Sequence, residues 1–200
     1  RITPDGKILD TASLVSQSAY KTVDEFALTF DRAGTVLPQV RQQAYHYYLY
    51  KDWNKLEELF TTHKLNDGWP PAFGGYNVIK NTPIKAGEKF DRYGGSLGVD
   101  ELGNPILGGS FTSPVNGTPF SYGQRALKES EESFDYYYEI EVLKDLPFNS
   151  EKGDIIPWFG HPGGGTQSRW EIPVDPATGF PKTWNKLAEE GYIKLEIKES

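Results

Sequence analysis

Apolar positions recur at helical spacing between residues 35 and 63. In "PQVRQQAYHYYLYKDWNKLEELF", Val40, Ala44, Tyr47 and Tyr48 fall near one face. Leu56, Leu59 and Phe60 continue the stripe. This pattern predicts helix, with a break near Asp52. Upstream, "TVDEFALTFDRAG" fits a short helix or a short strand ending at Gly34, and the pattern alone does not choose.

Beyond residue 65 the rhythm changes. "NDGWPPAFGG", residues 66 to 75, carries Asp-Gly, Pro-Pro and Gly-Gly and reads as loop. "YNVIKNTPIKAGEKFDRYGG" predicts a strand, a turn at Ala86-Gly87 and a second strand ending at Asp91–Gly95. "DELGNPILGGSFTSP" predicts a hairpin turn around Gly103-Asn104. "FDYYYEIEVLKDLPF" is aromatic and β-branched with partial alternation, the clearest strand in the chain. "GDIIPWFG" predicts another strand, feeding a glycine loop, and "TQSRWEIPV" a strand after it. Trp184 to Gly191 suggests a short helix. "YIKLEIKES" alternates as a last strand with one solvated face.

Helix therefore dominates the first third and short antiparallel strands the rest. That is α+β. The expected organisation is a mostly helical segment, residues 1–64, packed on a small twisted antiparallel β core within residues 65–200.

Composition narrows the function. Twenty-one glycines, 14 prolines and 12 tyrosines suit many turns and short strands. A net charge of −7 argues against a nucleic-acid partner. With no cysteine, disulfides, Cys-ligated zinc and thiol catalysis are excluded. No apolar run reaches membrane-spanning length. The chain opens "RITPDGKILD" without Met and reads as a fragment of a longer chain, which leaves room for a delivery signal upstream.

The stretch that suggests chemistry is "PWFGHPGGGTQSRW", residues 157–170. Gly160 and Gly165 have P-loop spacing, but Thr166 stands where the phosphate-holding Lys belongs. The element reads instead as strand–turn–strand. Its glycines serve positive φ or a close approach to a ligand; a plain turn remains an alternative. His161, His46 and His63 lack metal-ligand spacing, no G-x-S-x-G elbow exists, and no metal is expected. Arg92 and Arg125 stand beside glycines. Such arginines grip a diphosphate through paired charge-assisted bonds, or simply neutralise carboxylates.

Five motifs occur in order: "NDGWPPAFGG", "FDRYGG", "GGSFTSPVNGTPFSYGQRAL", "YYYEIEVLKDLP" and "IIPWFGHPGGGTQ". Together they resemble the NAD glycohydrolase toxin domains of the tuberculosis necrotizing toxin type, shared with secreted fungal NADases. The resemblance spans about residues 66 to 170, with a looser tail to 200. It implies hydrolysis of NAD⁺, often NADP⁺ too, to nicotinamide and ADP-ribose, with no further cofactor. It implies a β core related to ADP-ribosylating enzymes. Secretion or delivery into a target cell, and a cognate immunity protein, belong to the same expectation.

Residue by residue, the family's Asp-Arg-aromatic-Gly arginine matches Arg92, and the arginine of Arg-Ala-Leu matches Arg125. Its aromatic before Leu-Ser-Pro matches Phe111. The glutamine closing the glycine loop matches Gln167. The resemblance thus implies Arg92 and Arg125 on the diphosphate and Phe111 stacking on a base, helped by Tyr93 or Trp158. Gln167 would act at the nicotinamide ribose or on the attacking water, and Gly163, Gly164 and Gly165 would admit the substrate closely. Two positions depart from the pattern. His161 replaces the loop's first glutamine, and Tyr138 stands near a strand histidine of the toxin. An ADP-ribosyltransferase and a non-catalytic NAD-binding or interaction module remain alternatives; a nuclease is disfavoured by charge.

Overall fold

The computed structural model describes residues 11–198; "RITPDGKILD" and the last two residues of the final predicted strand lie outside it. Four helices come first: α1 (Thr11–Gln17), α2 (Val23–Ala27), α3 (Pro38–Leu49) and α4 (Trp53–Thr62). Then follow β1 (Gly75–Pro83), β2 (Lys89–Gly94), β3 (Phe111–Pro114), α5 (Tyr122–Arg125), β4 (Tyr136–Val142), β5 (Asn149–Ile155), β6 (Thr166–Trp170), α6 (Trp184–Glu189) and β7 (Ile193–Lys198). The predicted break is real: Lys51 takes a positive φ of 57°, and α4 begins just after Asp52. The undecided segment forms α2, because Thr22 accepts a hydrogen bond from the Glu25 amide and caps its first turn.

The strands make one seven-stranded sheet in the order β1-β5-β6-β3-β2-β4-β7. Every pairing is antiparallel, and the fold is α+β. β1 and β2 are consecutive yet lie apart. β1 goes to an edge beside β5, while β2 sits between β3 and β4. The predicted Gly103-Asn104 turn closes a small arm bridged at Val99 and Pro105, with Asp100 Oδ1 accepting from the Leu102 and Asn104 amides.

β3 is where two halves of the sheet meet. Phe111 and Thr112 pair with β6, whereas Ser113 pairs with Asp91 and Pro114 with Phe90 on β2. One core covers a face of the sheet, where Phe90, Tyr138, Ile140 and Trp170 pack with Trp184 and Leu187 of α6. The other core belongs to the helices. Phe26 meets Phe30, Tyr45 and Tyr48 at 5.4, 5.3 and 4.7 Å between ring centroids. It extends to Ile156 and Trp158 just past β5, and the Tyr48 hydroxyl donates to the Gly75 carbonyl at 2.6 Å.

Candidate functional site

The segment between β5 and β6 is built in two steps. Ile156 and Trp158 turn into the helical core. Phe159 and Gly160 then take positive φ, 53° and 77°, and the His161 amide donates back to the Trp158 carbonyl at 2.9 Å. That is a two-residue turn with both central residues left-handed. The glycine run follows and docks on α5: Gly163 N donates to Gly123 O at 3.1 Å and Gly165 N to Gln124 O at 3.0 Å.

The three glycines do different work. A Cβ at Gly163 would lie 2.7 Å from backbone atoms of Ile155 and Ile156; one at Gly165 would lie 2.9 Å from Gln124 O. Both are glycine because the protein's own backbone needs the room. Of the three expected to admit a ligand closely, only Gly164, at φ 92°, has open space on its Cβ side.

Gln167 lies on β6 two residues beyond the run. Alternation puts Gln167 and Arg169 on the face opposite Ser168 and Trp170. The Gln167 Nε2 donates to the Phe73 carbonyl at 2.9 Å. Its Oε1 lies beside Gly74, and no hydrogen bond to it is seen among the described residues, so it keeps acceptor capacity. Register adds neighbours on that face: Phe111 pairs with Arg169, and Asp91 with Ser113. Phe111 is 39% exposed, so its ring is open to a ligand.

The two arginines part company. β2 aims Asp91 and Tyr93 one way and Arg92 the other. Arg125 is 5% exposed and forms a two-pronged pair with Asp91, Nη1–Oδ1 at 2.6 Å and Nη2–Oδ2 at 2.8 Å. Its Nε and Nη2 also donate to the Phe120 carbonyl. Tyr137 donates to the same Asp91 carboxylate at 2.6 Å, and burial, then that carboxylate, pushes the Tyr137 phenol far up. Tyr93 packs into this cluster, with Arg125 over its ring at 5.1 Å and the Tyr137 and Tyr122 rings at 4.8 and 5.1 Å.

Arg92 is held by neutral groups. Its Nε donates to the Tyr138 hydroxyl at 2.5 Å and its Nη1 to the Phe111 carbonyl at 2.7 Å. Trp184 lies beneath its guanidinium at 5.8 Å. A Cβ at Gly109 would come within 2.6 Å of Arg92 Nη2, and one at Gly94 within 2.9 Å, so two motif glycines exist to seat this side chain. Among the described residues no carboxylate pairs with it. Tyr138 acquires a structural meaning here: its buried hydroxyl is the acceptor that orients Arg92. Burial raises its pKa, and Arg92 pulls it partly back.

Trp158 does not join them. It is 2% exposed, packs against Phe60 at 5.4 Å and donates through Nε1 to the Gly68 carbonyl at 2.8 Å. The expectation that it stacks on a base is corrected, because no ring face is free. His161 meets Tyr122 edge-on at 5.9 Å. Among the described residues no group of three or more His, Asp or Glu could hold a metal. No helix there is long and apolar enough to cross a membrane. A cavity of about 400 Å³ lies in the helical layer, lined by Asp31, Val40, His63 and Leu65, and none of the site residues reaches it.

Sequence reasoning missed three partners. Asp91 was visible inside "FDRYGG" but is identified as Arg125's counter-charge only by packing. Arg169 was not singled out, and its one signal was its place two residues after Gln167 on an alternating strand. Phe73 was an aromatic among turn formers.

Comparison with known proteins completes the picture. The family model described as tuberculosis necrotizing toxin matches residues 83–195, more than half of the chain. That match contains Arg92, Phe111, Arg125 and Gln167, starts after "NDGWPPAFGG" and runs beyond the glycine loop. No curated protein matches. Among solved structures, tuberculosis necrotizing toxin complexed with its immunity factor IFT is similar at 22% identity and a TM-score of 0.39, over 64% of this chain and 60% of that one. On the family match, the chain belongs to the tuberculosis necrotizing toxin family.

Proposed function

We propose that the protein is an NAD⁺ glycohydrolase and the toxic part of a secreted or delivered protein. The observation that carries this reading is the state of Gln167. Its amide is fixed by Phe73, with an acceptor oxygen left over, on a strand that follows the glycine run in a chain of this family.

The chemistry asks little acid–base work. The bond between ribose C1 and the nicotinamide nitrogen breaks, and its electron pair neutralises the pyridinium. Water then captures the ribosyl cation and a proton leaves. The difficult part is the positive charge growing on the ribose, as in other glycosidic cleavages. Gln167 Oε1 is suited to hold a ribose hydroxyl or the attacking water. Arg92, with no carboxylate paired to it among the described residues, points to the other face of the sheet from Gln167 and Phe111. Its Nη1 bond to the Phe111 carbonyl nonetheless brings its charge to the strand that carries the exposed ring, where it is suited to the diphosphate. Phe111 offers an open ring for a base. Arg125 serves differently: its pair with Asp91 fixes α5, and α5 fixes the glycine run.

Family membership also supports a cognate immunity protein as partner. The test is nicotinamide release from NAD⁺. The protein should release nicotinamide and free ADP-ribose, and Gln167→Ala should lower the rate about 10²–10³-fold while folding normally. No nicotinamide from the unaltered protein sinks the reading. ADP-ribose found on protein rather than free makes it a transferase.

A further inference from the structure

Phe73 lies before the family match begins, and no motif marks it as a site residue. Its backbone is in the left-handed region at φ 54°, as is Ala72 at 54°, a conformation that bulky residues rarely adopt. Such outliers persist where the surroundings over-determine them, often at ligand sites. Here the surroundings are Gln167 and Arg169. The first donates to the Phe73 carbonyl; the second places its guanidinium carbon 4.0 Å from the Phe73 ring centroid. Arg169 is itself anchored to Glu151 at 2.7 Å. Phe73 is still 37% exposed, so stacking on Arg169 leaves part of the residue open, and its carbonyl holds the candidate catalytic amide. A Cβ at Gly75 would lie 3.0 Å from Gln167 Nε2, which shows how tightly this loop is drawn onto β6.

We propose that Phe73 is the stacking platform for the substrate's nicotinamide ring, with Arg169 as the positioning residue behind it. The inference rests on the glycohydrolase reading. If Gln167 works at the nicotinamide ribose, the aromatic whose carbonyl it bonds is next to the nicotinamide rather than the adenine. The Arg169–Glu151 pair leaves the platform without net charge, so it does not repel the cationic ring of the substrate. After bond cleavage the same face holds neutral nicotinamide.

The experiment uses the whole chain, with NAD⁺ as substrate and free nicotinamide and ADP-ribose as inhibitors. Phe73→Leu keeps bulk but removes the π face. It should raise the KM for NAD⁺ and weaken nicotinamide inhibition together, about ten- to hundredfold, and leave ADP-ribose inhibition unchanged. Phe73→Tyr should restore both. Arg169→Met should weaken nicotinamide inhibition less than Phe73→Leu, and raise the KM for NAD⁺ in the same proportion. A folded Phe73→Leu with normal nicotinamide inhibition overturns the inference, as does a shift confined to ADP-ribose. Should Phe73→Leu fail to fold, unchanged nicotinamide inhibition in Arg169→Met overturns it instead. An unaltered protein that releases no nicotinamide removes the underlying reading, a different result from an active protein indifferent to Phe73.

Discussion

Arg92 and Arg125 are the same residue type, carried by the same motif order, with the same expected ligand. They end in opposite electrostatic states. Around Arg125 the protein supplies a buried carboxylate, a carbonyl and two tyrosine rings. Around Arg92 it supplies a phenol, a carbonyl, an indole and two glycines. The first environment closes the charge and makes the arginine a fastener. The second positions the charge without neutralising it, which is what an anion site requires. The divergence begins at one step of β2, where Asp91 faces Arg125 and the next residue, Arg92, faces the other side.

The sharpest way to break this contrast is at Asp91. Asp91→Ala strands a buried guanidinium and should cost about 3–5 kcal/mol of stability in a denaturant titration. A loss below about 1 kcal/mol would return Arg125 to the list of free anion binders. Next is the run that docks α5. Gly164→Ala should cost about 1 kcal/mol through its positive φ alone. Gly163→Ala adds overlap with the β5 backbone and should cost about 1–3 kcal/mol more; equal losses would mean that the run is not packed as described. Arg92→Gln comes third. It should weaken NAD⁺ binding by about 1.5–3 kcal/mol, read as KM, with a smaller stability loss than Asp91→Ala. Unchanged KM would place the diphosphate elsewhere.

The smallest effect is alkaline. The Tyr137 and Tyr138 phenols both titrate above their ordinary value of 10 in the folded protein. The unfolded chain loses these protons first as pH rises, so their contribution is whole below pH 10 and declines above it. Tyr137 should matter more, because Asp91 reinforces its shift while Arg92 opposes that of Tyr138. Melting curves of Tyr137→Phe and Tyr138→Phe between pH 9 and 11 would show the order. A steeper alkaline loss that survives Tyr137→Phe would assign it to other groups.

Much of the architecture was legible from local signals. Spacing found α3 and α4 and the kink at Asp52, because a buried helical stripe leaves a period in the sequence. Alternation and turn residues found β4, β7 and the Gly103-Asn104 arm. Local pattern could not say that β1 leaves β2 for the opposite end of the sheet, since strand partners are chosen by long-range packing. It also misplaced Trp158: an aromatic beside a glycine run looks like a base platform until the helical core takes it.

By itself the sequence determined the types of the longer elements, the motif order that leads to the family, and the placement of Gln167 on a strand after a glycine turn. These follow from short-range periodicity, backbone limits and residue chemistry. Only the tertiary structure decided which arginine keeps its charge, which of three glycines faces open space, and that Phe73 and Arg169 sit beside Gln167. Each of these depends on contacts between segments tens of residues apart, and pairing, burial and side-chain facing are properties of that assembly.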